Sequence, residues 1–312
     1  MKDITRRQFI KTSGNALAAT SGVGALLAAC GKNDGSAAKK VTKENSVIVA
    51  AHGWVYAAPM PGYDYTPRLE EIFADLKYAG IEAFELMERV LRHDDAVEKL
   101  KVLSEKYEMP IIGTSYGADM WDKEKHEEIM RDAEIVVKRL SQLGGRTFGV
   151  SVGNRDDLKT EQQLNDQAEL LKQLIALCNS WKVQLNLHNH TYEVEDDMHD
   201  LKGTLARIPD AKLGPDLNWL VRGGVDPAEF IRRFGKQIVF LHIRDENADG
   251  KWSEAVGEGA MDYAAIAEAL QEVGFSGDAT IELAHENGFE LTRPLKESWK
   301  MSREFVQNTL GY

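Results

Sequence analysis

Short runs rich in apolar and β-branched residues recur along the chain from residue 46 onward. Runs of this length, bounded by Gly, Pro, Asn or Asp, are typical of buried β-strands. Eight such runs occur, namely "SVIVAA", "IEAFEL", "PIIGTS", "RTFGVSV", "VQLNLH", "AKLGPDL", "IVFLHI" and "DATIEL". The pattern therefore predicts eight short strands in the second, longer part of the chain.

Longer stretches with apolar residues at helical spacing separate these runs. Examples are "LEEIFADLKYAG", "DDAVEKLKVLSEKYEM", "HEEIMRDAEIVVKRLSQLGG", "LNDQAELLKQLIALCNSW" and "MDYAAIAEALQEVGF". Gly80, Gly144 and Gly274 stand at the ends of three of them, where a left-handed residue commonly terminates a helix. We therefore expect helices between successive strands, with Asp262 as the N-cap of the helix that follows it.

The regular alternation of strand and helix predicts an α/β fold, a (β/α)8 TIM barrel with its helices on the outside. An open, doubly wound parallel sheet is the alternative arrangement. That alternative usually carries a glycine-rich dinucleotide fingerprint after a strand, and no predicted strand is followed by one. A Walker-type phosphate-binding loop is likewise absent from the sequence.

The first 29 residues have the composition of an export signal. Arg6, Arg7 and Lys11 precede a short, weakly apolar run that is too short and too polar to span a bilayer stably. The stretch "TRRQFIK" resembles the twin-arginine export motif, and "LAAC" resembles the lipobox of bacterial lipoproteins. The resemblance implies that Cys30 is lipidated; the alternative is an ordinary cleaved signal with an incidental cysteine.

Three regions follow from this interpretation. Residues 1–29 are predicted to be an export signal peptide, and residues 30–45 a lipidated Cys30 with a polar, flexible tether. Residues 46–312 are predicted to form the TIM-barrel catalytic domain. We expect a periplasmic or cell-envelope lipoprotein, exported by the twin-arginine route, whose only membrane contact is the lipid anchor.

Net charge excludes one class of partner. The chain carries a formal charge of −12, and removal of residues 1–29 leaves 34 basic and 49 acidic side chains, a charge of −15. An acidic body repels phosphate backbones, so we expect no nucleic-acid partner. Cys178 lies at helical spacing with neighbouring leucines, which indicates a buried free thiol and a fold without a disulfide. A homo-oligomer is left open.

Polar residues gather at the C-terminal ends of the predicted strands, the end at which TIM barrels carry their active sites. In chain order they are His52, Glu85, Ser115 with Tyr116, Ser151, His188 with His190, Asp216, His242 with Arg244, and Glu282. Imidazole and carboxylate ligands from neighbouring strands suit a divalent ion. One such ion is expected at His188 or His190 together with Asp216, His242 and Glu282, with Mn, Co, Zn, Fe, Ni or Mg all compatible.

Several longer motifs resemble the sugar phosphate isomerase/epimerase superfamily of xylose isomerase-like TIM barrels. They are "GIEAFEL", "HNHTYE", "PDLNW", "FLHIRDEN" and "VGEGAMDYAAIAEALQEVGFSGDATIEL", and the likeness extends from about Ser46 to the C-terminus. Members of this superfamily include inosose dehydratases and relatives of endonuclease IV. A DNA-directed role is disfavoured by the charge of the body.

The resemblance implies roles for individual residues. His188, Asp216, His242 and Glu282 match the positions of the family's metal ligands on strands five to eight. Glu85 matches an acidic residue at the end of the second strand. Arg244 matches a basic residue that reaches substrate oxygens.

One position departs from the family pattern. Ketose epimerases of this superfamily usually place a Glu at the position of His188, and they use it with the Glu on strand eight as paired acid and base. Glu282 is the only member of that pair present in this chain. His188 or His190 could act as the second catalytic base, since an imidazole accepts protons near neutral pH.

Three functions remain open on these grounds. The first is a metal-dependent isomerase or epimerase that removes a proton next to a carbonyl. The second is a lyase or dehydratase of the same architecture, because "HNH" resembles inosose dehydratases. The third is a sugar-binding lipoprotein without turnover.

The predicted location narrows the substrate. Outside the cytosol a non-phosphorylated keto sugar or cyclitol is expected rather than a sugar phosphate. Candidate catalytic residues are Glu282, His188, His190 and Glu85, and candidate substrate-binding residues are His52, Trp54, Tyr116, Arg244 and Glu258. The aromatic residues Tyr56, Trp121 and Trp219 either stack on an apolar sugar face or cover the barrel mouth.

Overall fold

A computed structural model describes residues 47–312, and the predicted signal peptide, Cys30 and tether lie outside this range. Seven parallel strands form one sheet in the order β5-β4-β3-β2-β1-β7-β6. Their bounds are β1 Val49–His52, β2 Ala83–Met87, β3 Ile111–Gly117, β4 Thr147–Ser151, β5 Gln184–Leu187, β6 Phe240–Ile243 and β7 Asp278–Ile281. The strands form a nearly closed barrel, so the predicted fold class is confirmed.

The sixth of the eight predicted runs, residues 211–217, is not a regular strand. It makes isolated parallel bridges from Leu213 to Leu187 of β5 and to Ile238 just before β6, and from Asp216 to His242 of β6. Pro215 has no N–H to donate to a ladder, and a side chain at Gly214 would collide with Asn186. Residues 211–217, here called the bridging segment, therefore complete the ring by only a few hydrogen bonds.

Helices follow the strands around the barrel. The α-helices in the described range are Trp54–Ala57, Leu69–Tyr78, Glu88–Leu91, Ala96–Tyr107, His126–Gln142, Glu161–Ser180, Thr191–Arg207, Leu217–Arg222, Pro227–Phe234, Tyr263–Val273 and Leu295–Leu310. Short 3₁₀ turns are Pro61–Tyr63, Thr66–Arg68 and Lys123–Lys125. None of the helices in the described part of the chain is long and apolar enough to cross a membrane.

Local signals in the sequence account for several helix ends. Asp262 accepts a hydrogen bond from the Ala265 N–H at 3.0 Å, which confirms it as an N-cap. Gly274 terminates the same helix in the left-handed conformation, with φ of 64°. Cys178 is a free, fully buried cysteine, also as predicted.

The two faces of each strand bury different residues. Val49 and Ala51 point outward into the large core between sheet and helices, whereas Ala50 points into the barrel. Four interior residues form a small apolar cluster, here called the floor, composed of Ala50, Ala83, Ile112 and Phe240. Because side chains alternate with a period of two, the next interior position on each of these strands lies one layer closer to the mouth. On β1, β2 and β6 these positions hold His52, Glu85 and His242. On β3 a register shift against β2 interrupts the alternation, so that Ser115, which pairs with Gly149, faces the interior beside His52.

Candidate active site

The layer above the floor is built from buried ionisable side chains. The His242 ring lies between two carboxylates, with Nε2 2.8 Å from Glu85 Oε2 and Nδ1 3.0 Å from Glu282 Oε2. His52 lies on the other side of Glu282, 3.1 Å from its Oε1, and its Nε2 is 2.9 Å from Ser115 Oγ. Strand ends that are far apart in sequence thus meet around Glu282, as the barrel predicts.

Arg244 links Glu282 to the bridging segment. Its Nε donates to Asp216 Oδ2 at 2.6 Å, and its Nη2 contacts Glu282 Oε1. The other Asp216 oxygen accepts the N–H groups of Asn218 and Trp219, both at 3.0 Å, at the start of helix Leu217–Arg222. Asp216 is therefore fixed by its neighbours on both carboxylate oxygens.

The pKa values in this layer are set by burial and by neighbouring charges. Burial lowers the pKa of His242, but Glu85 and Glu282 outweigh it and raise that pKa to about 10. Burial raises the pKa of Glu282, but Arg244 and His52 outweigh it and hold that pKa well below its usual range. Glu282 is therefore ionised at neutral pH despite being enclosed.

Three of the four predicted metal ligands converge. His188, Asp216 and His242 each offer one donor atom, and these atoms lie within 4.8 Å of one another. The Nδ1 atom of His188 is buried and lacks a hydrogen-bond partner among residues 47–312. Two imidazoles and a carboxylate form the N/O donor set that divalent transition metals favour, so the residues fit such an ion. Glu282 lies outside this group of three, in contact with His242.

His188 and His190 occupy different surroundings. The His188 ring packs against His242, with ring centroids 4.6 Å apart, and burial together with His242 lowers the pKa of His188 well below its usual value. The Nδ1 atom of His190 instead lies 3.2 Å from Ser151 Oγ and 3.1 Å from Tyr192 Oη. Burial and Arg244 lower the pKa of His190 to about 4. Of the two, only His188 belongs to the converging group.

A cavity of about 230 Å³ opens above these residues. Ligand clefts in proteins usually measure about 300–1,000 Å³, so this cavity suits a small ligand of roughly monosaccharide size. Its lining consists of His52, Trp54, Met87, Glu88, Ser115, Tyr116, Gly117, Gly149, Ser151, His188, His190, Trp219, His242, Arg244, Trp252 and Glu282. Most of the candidate residues thus line one cavity, and Glu85 and Asp216 support it from below.

Trp252 is a lining residue that the sequence pattern does not predict, because it lies in the long segment after β6 rather than at a strand end. A bridge between Glu246 and Trp252 folds this segment back over the mouth. The Trp252 ring meets Trp219 edge-on at a centroid distance of 5.6 Å, and Arg222 lies 4.1 Å from the Trp252 centroid. The two tryptophans form an aromatic wall on one side of the cavity.

Three candidates from the sequence do not line the cavity. Glu258 is paired with Arg293, whose Nη1 donates to Glu258 Oε1 at 2.8 Å. Trp121 donates its indole N–H to the Asn154 carbonyl at 3.2 Å. Tyr56 lines a separate groove of about 620 Å³, which is larger than the cavity; its one imidazole, His285, belongs to no group of converging metal-ligand atoms in the described part of the chain.

Solved structures with the same architecture are similar to the chain. A sugar phosphate isomerase/epimerase from Parabacteroides distasonis superposes with a TM-score of 0.68 at 15% identity, over 87% of this chain and 97% of that one. For a D-allulose 3-epimerase from Methylomonas sp. the values are 0.69 and 15%, over 86% and 99%. A 3-keto-D-glucoside 4-epimerase from E. coli gives 0.64 and 14%, over 84% and 100%. Identities this low establish the fold alone.

Sequence comparison assigns the family directly. No curated protein matches the chain. The model of the xylose isomerase-like TIM barrel family, in contrast, matches residues 73–309, which is most of the chain and includes β2 to β7. The chain therefore belongs to the xylose isomerase-like TIM barrel family.

Proposed function

We propose that the protein is a metal-dependent sugar isomerase or epimerase that acts on a non-phosphorylated keto sugar or cyclitol by removing a proton next to a carbonyl. The observation that carries the proposal is the convergence of His188, Asp216 and His242 beside an ionised Glu282, beneath a cavity of about 230 Å³. The fold's likeness to several sugar epimerases supports the same class of reaction.

His188, Asp216 and His242 would hold one divalent ion, and Glu282 lies close enough to His242 to be the fourth ligand predicted from the sequence. When bound, such an ion polarises a carbonyl and stabilises the negative charge that develops on its oxygen. Glu85 holds the His242 ring from behind by its bond to Nε2, which is the usual role of a carboxylate behind a metal-binding imidazole.

The remaining groups of the cavity bind substrate and move protons. Glu282 is ionised and accepts a proton from carbon. Arg244, which donates a hydrogen bond to Asp216, lies beside Glu282 and keeps it ionised. His190 also lines the cavity and is the candidate for the second proton-transfer group. His52 lies between Ser115, to which its Nε2 is hydrogen-bonded, and Glu282, whose Oε1 is 3.1 Å from its Nδ1, and it orients both.

The cavity favours a neutral sugar. Arg244 is the only arginine or lysine among its lining residues, and both Asp216 and Glu282 neutralise it. The charge of His242 is likewise neutralised, by Glu85 and Glu282. A phosphate group would therefore find no free positive charge there. Trp219 and Trp252 offer ring faces and edges on which the C–H groups of a sugar can pack.

The predicted export and lipidation complete the proposal. An enzyme anchored at the cell envelope through Cys30 would meet neutral sugars that arrive from outside. Intact-mass analysis of the mature protein tests this part: a mature chain that begins at Cys30 with an added lipid supports it, and an unmodified residue 30 refutes it.

The first experiment measures the metal content of the purified full-length chain by elemental mass spectrometry. The variant Asp216→Asn keeps an oxygen that can cap helix Leu217–Arg222 but removes the charge. Asp226→Asn is the matched control, because Asp226 caps helix Pro227–Phe234 in the same way at 2.8 Å and lies outside the cavity. We expect about one ion per chain in the parent and control and far less in Asp216→Asn.

Turnover is tested next with keto sugars in deuterated water. Uptake of deuterium at carbon with unchanged product composition supports an isomerase or epimerase. Loss of water from the product identifies the second candidate, a dehydratase, which the His188 at the end of β5 favours. Tight sugar binding without deuterium uptake in the metal-loaded protein would refute both enzymes.

A further inference from the structure

A closed network of hydroxyl groups lies behind His190. Ser151 Oγ is 2.7 Å from Glu193 Oε1 and 2.7 Å from Tyr192 Oη. The Nδ1 atom of His190 is within hydrogen-bond distance of both hydroxyls, at 3.2 Å and 3.1 Å. Four contacts thus connect one imidazole, two hydroxyls and one buried carboxylate.

The Glu193 carboxylate acts only as a hydrogen-bond acceptor in this network. Its Oε2 accepts the backbone N–H of His190 at 2.7 Å, and its Oε1 accepts the backbone N–H of Val152 at 3.2 Å in addition to Ser151. The side chain is 4% exposed, so water does not compete for these bonds. Burial raises the pKa of Glu193 to about 7, and above that pH the ionised group accepts hydrogen bonds only.

Counting the hydrogens in the network leaves one arrangement. Ser151 has a single O–H, and it donates to Glu193. The short contact between Tyr192 and Ser151 must then use the Tyr192 O–H, because two oxygens 2.7 Å apart with no hydrogen between them repel. Both contacts of His190 Nδ1 are left without a hydrogen unless Nδ1 itself carries one.

We infer that Glu193 is a positioning residue which, through Ser151 and Tyr192, fixes His190 as the tautomer protonated at Nδ1 and leaves Nε2 as a hydrogen-bond acceptor on the cavity side. This inference rests on the proposed function only in assigning Nε2 to a substrate hydroxyl. Glu193 Oε2 is 3.9 Å from Nδ1, too far for a direct hydrogen bond, so the hydroxyls transmit its effect.

The ring is held in place as well as in one tautomer. His190 stacks on Tyr192 with an interplanar angle of 14°, and Trp219 also packs against it at a centroid distance of 5.5 Å. Within the described residues, Nε2 makes no hydrogen bond. A substrate that offers a hydroxyl at this point satisfies Nε2, whereas a deoxy analogue leaves it unpaired. The network therefore predicts selectivity for a hydroxylated substrate carbon at this position.

The test reads the tautomer directly, without turnover. The full-length protein is labelled with ¹⁵N-histidine and loaded with Zn²⁺, and long-range ¹H–¹⁵N spectra at pH 8 show which nitrogen of each ring carries hydrogen. The His190→Gln variant assigns the signal. We expect His190 to be protonated at Nδ1, and a signal protonated at Nε2 would overturn the inference.

A matched pair of variants separates the two hydroxyls. Tyr192→Phe leaves the path from Nδ1 through Ser151 to Glu193 intact, so the Nδ1-protonated form should persist. Ser151→Ala cuts that path and frees the Tyr192 O–H to donate to Nδ1, so the ring should shift to the form protonated at Nε2. Persistence of the Nδ1–H form in Ser151→Ala would show that Glu193 does not control it.

Kinetics then connect the tautomer to the proposed function. Because neighbours that orient an active-site imidazole typically contribute about 10- to 100-fold to activity, Ser151→Ala should lower kcat by about that factor, with Tyr192→Phe closer to the parent. A correct tautomer without turnover would refute the proposed function and keep the inference. Turnover by a protein whose His190 is protonated at Nε2 would refute the inference and keep the proposed function.

Discussion

The floor and the mouth of the barrel interior are equally buried but chemically opposite. Ala50, Ala83 and Ile112 are fully buried and apolar. Glu85 and His242, each two residues beyond a floor residue on the same strand, are at most 2% exposed and ionisable. A step of two residues along a strand separates the layers. Burial of the apolar floor stabilises the fold, whereas burial of the charged groups at the mouth is destabilising.

The contrast also explains the pKa values of the mouth. A dry apolar layer below and packed helices outside weaken screening, so each charge responds strongly to its neighbours. Glu282 is therefore held ionised by Arg244 and His52 rather than by solvent. The same side chain at a solvated surface would feel much less of this influence.

The largest expected effect is at the mouth. Glu282→Gln keeps the size of the side chain but removes the charge that we propose accepts a proton, so kcat should fall by about 10²- to 10⁴-fold. Circular dichroism checks that the variant is folded. Glu272→Gln is the control, because Glu272 pairs with Arg232 at the protein surface. Activity within a factor of two or so of the parent in Glu282→Gln would contradict the assigned role.

A substitution in the floor should affect the stability of the protein rather than its kcat. Ile112→Ala removes a fully buried side chain and should lower the free energy of unfolding by about 2–4 kcal/mol, measured by chemical denaturation. The matched control is Ile135→Ala, since Ile135 is 46% exposed and its loss should change stability by less than about 0.5 kcal/mol. Equal losses from the two substitutions would show that the floor does not carry the stability assigned to it.

The smallest expected effect lies outside both layers. Asp262→Ala removes the N-cap of helix Tyr263–Val273 and should lower the free energy of unfolding by about 1 kcal/mol. Asp262→Asn keeps an accepting oxygen and should stay near the parent. A loss in Asp262→Asn as large as in Asp262→Ala would indicate that charge, rather than capping, matters at this position.

Much of this architecture could be predicted because it depends on local pattern. Periodicity located all seven strands, and the strand ends identified Glu85, His188, His242 and Glu282 before their contacts were known. The irregularity of the bridging segment was not predicted. Pro215, which has no N–H for a ladder, signals it in the sequence, whereas the close approach of Asn186 to Gly214 is visible only in the structure.

The loops were less accessible to sequence reasoning. Trp252 reaches the cavity through a fold of its loop that no periodicity records. The same limit applies to the Ser151–Glu193 contact, which joins residues 42 positions apart. Such long-range contacts depend on how the loops pack, so side-chain type and spacing do not predict them. Cys30 and the export signal remain predictions.

The bridging segment gives the barrel wall a seam. Elsewhere neighbouring strands are joined by ladders, but here Lys212 and Gly214 provide the bonds to Leu187 on the β5 side, and Leu213 and Pro215 provide those on the β6 side. Amide hydrogens of residues 211–217 should therefore exchange with solvent sooner than those of β1 or β2. Asp216 lies on this seam, so its position depends on its side-chain bonds to Arg244 and to the start of helix Leu217–Arg222 more than on strand pairing.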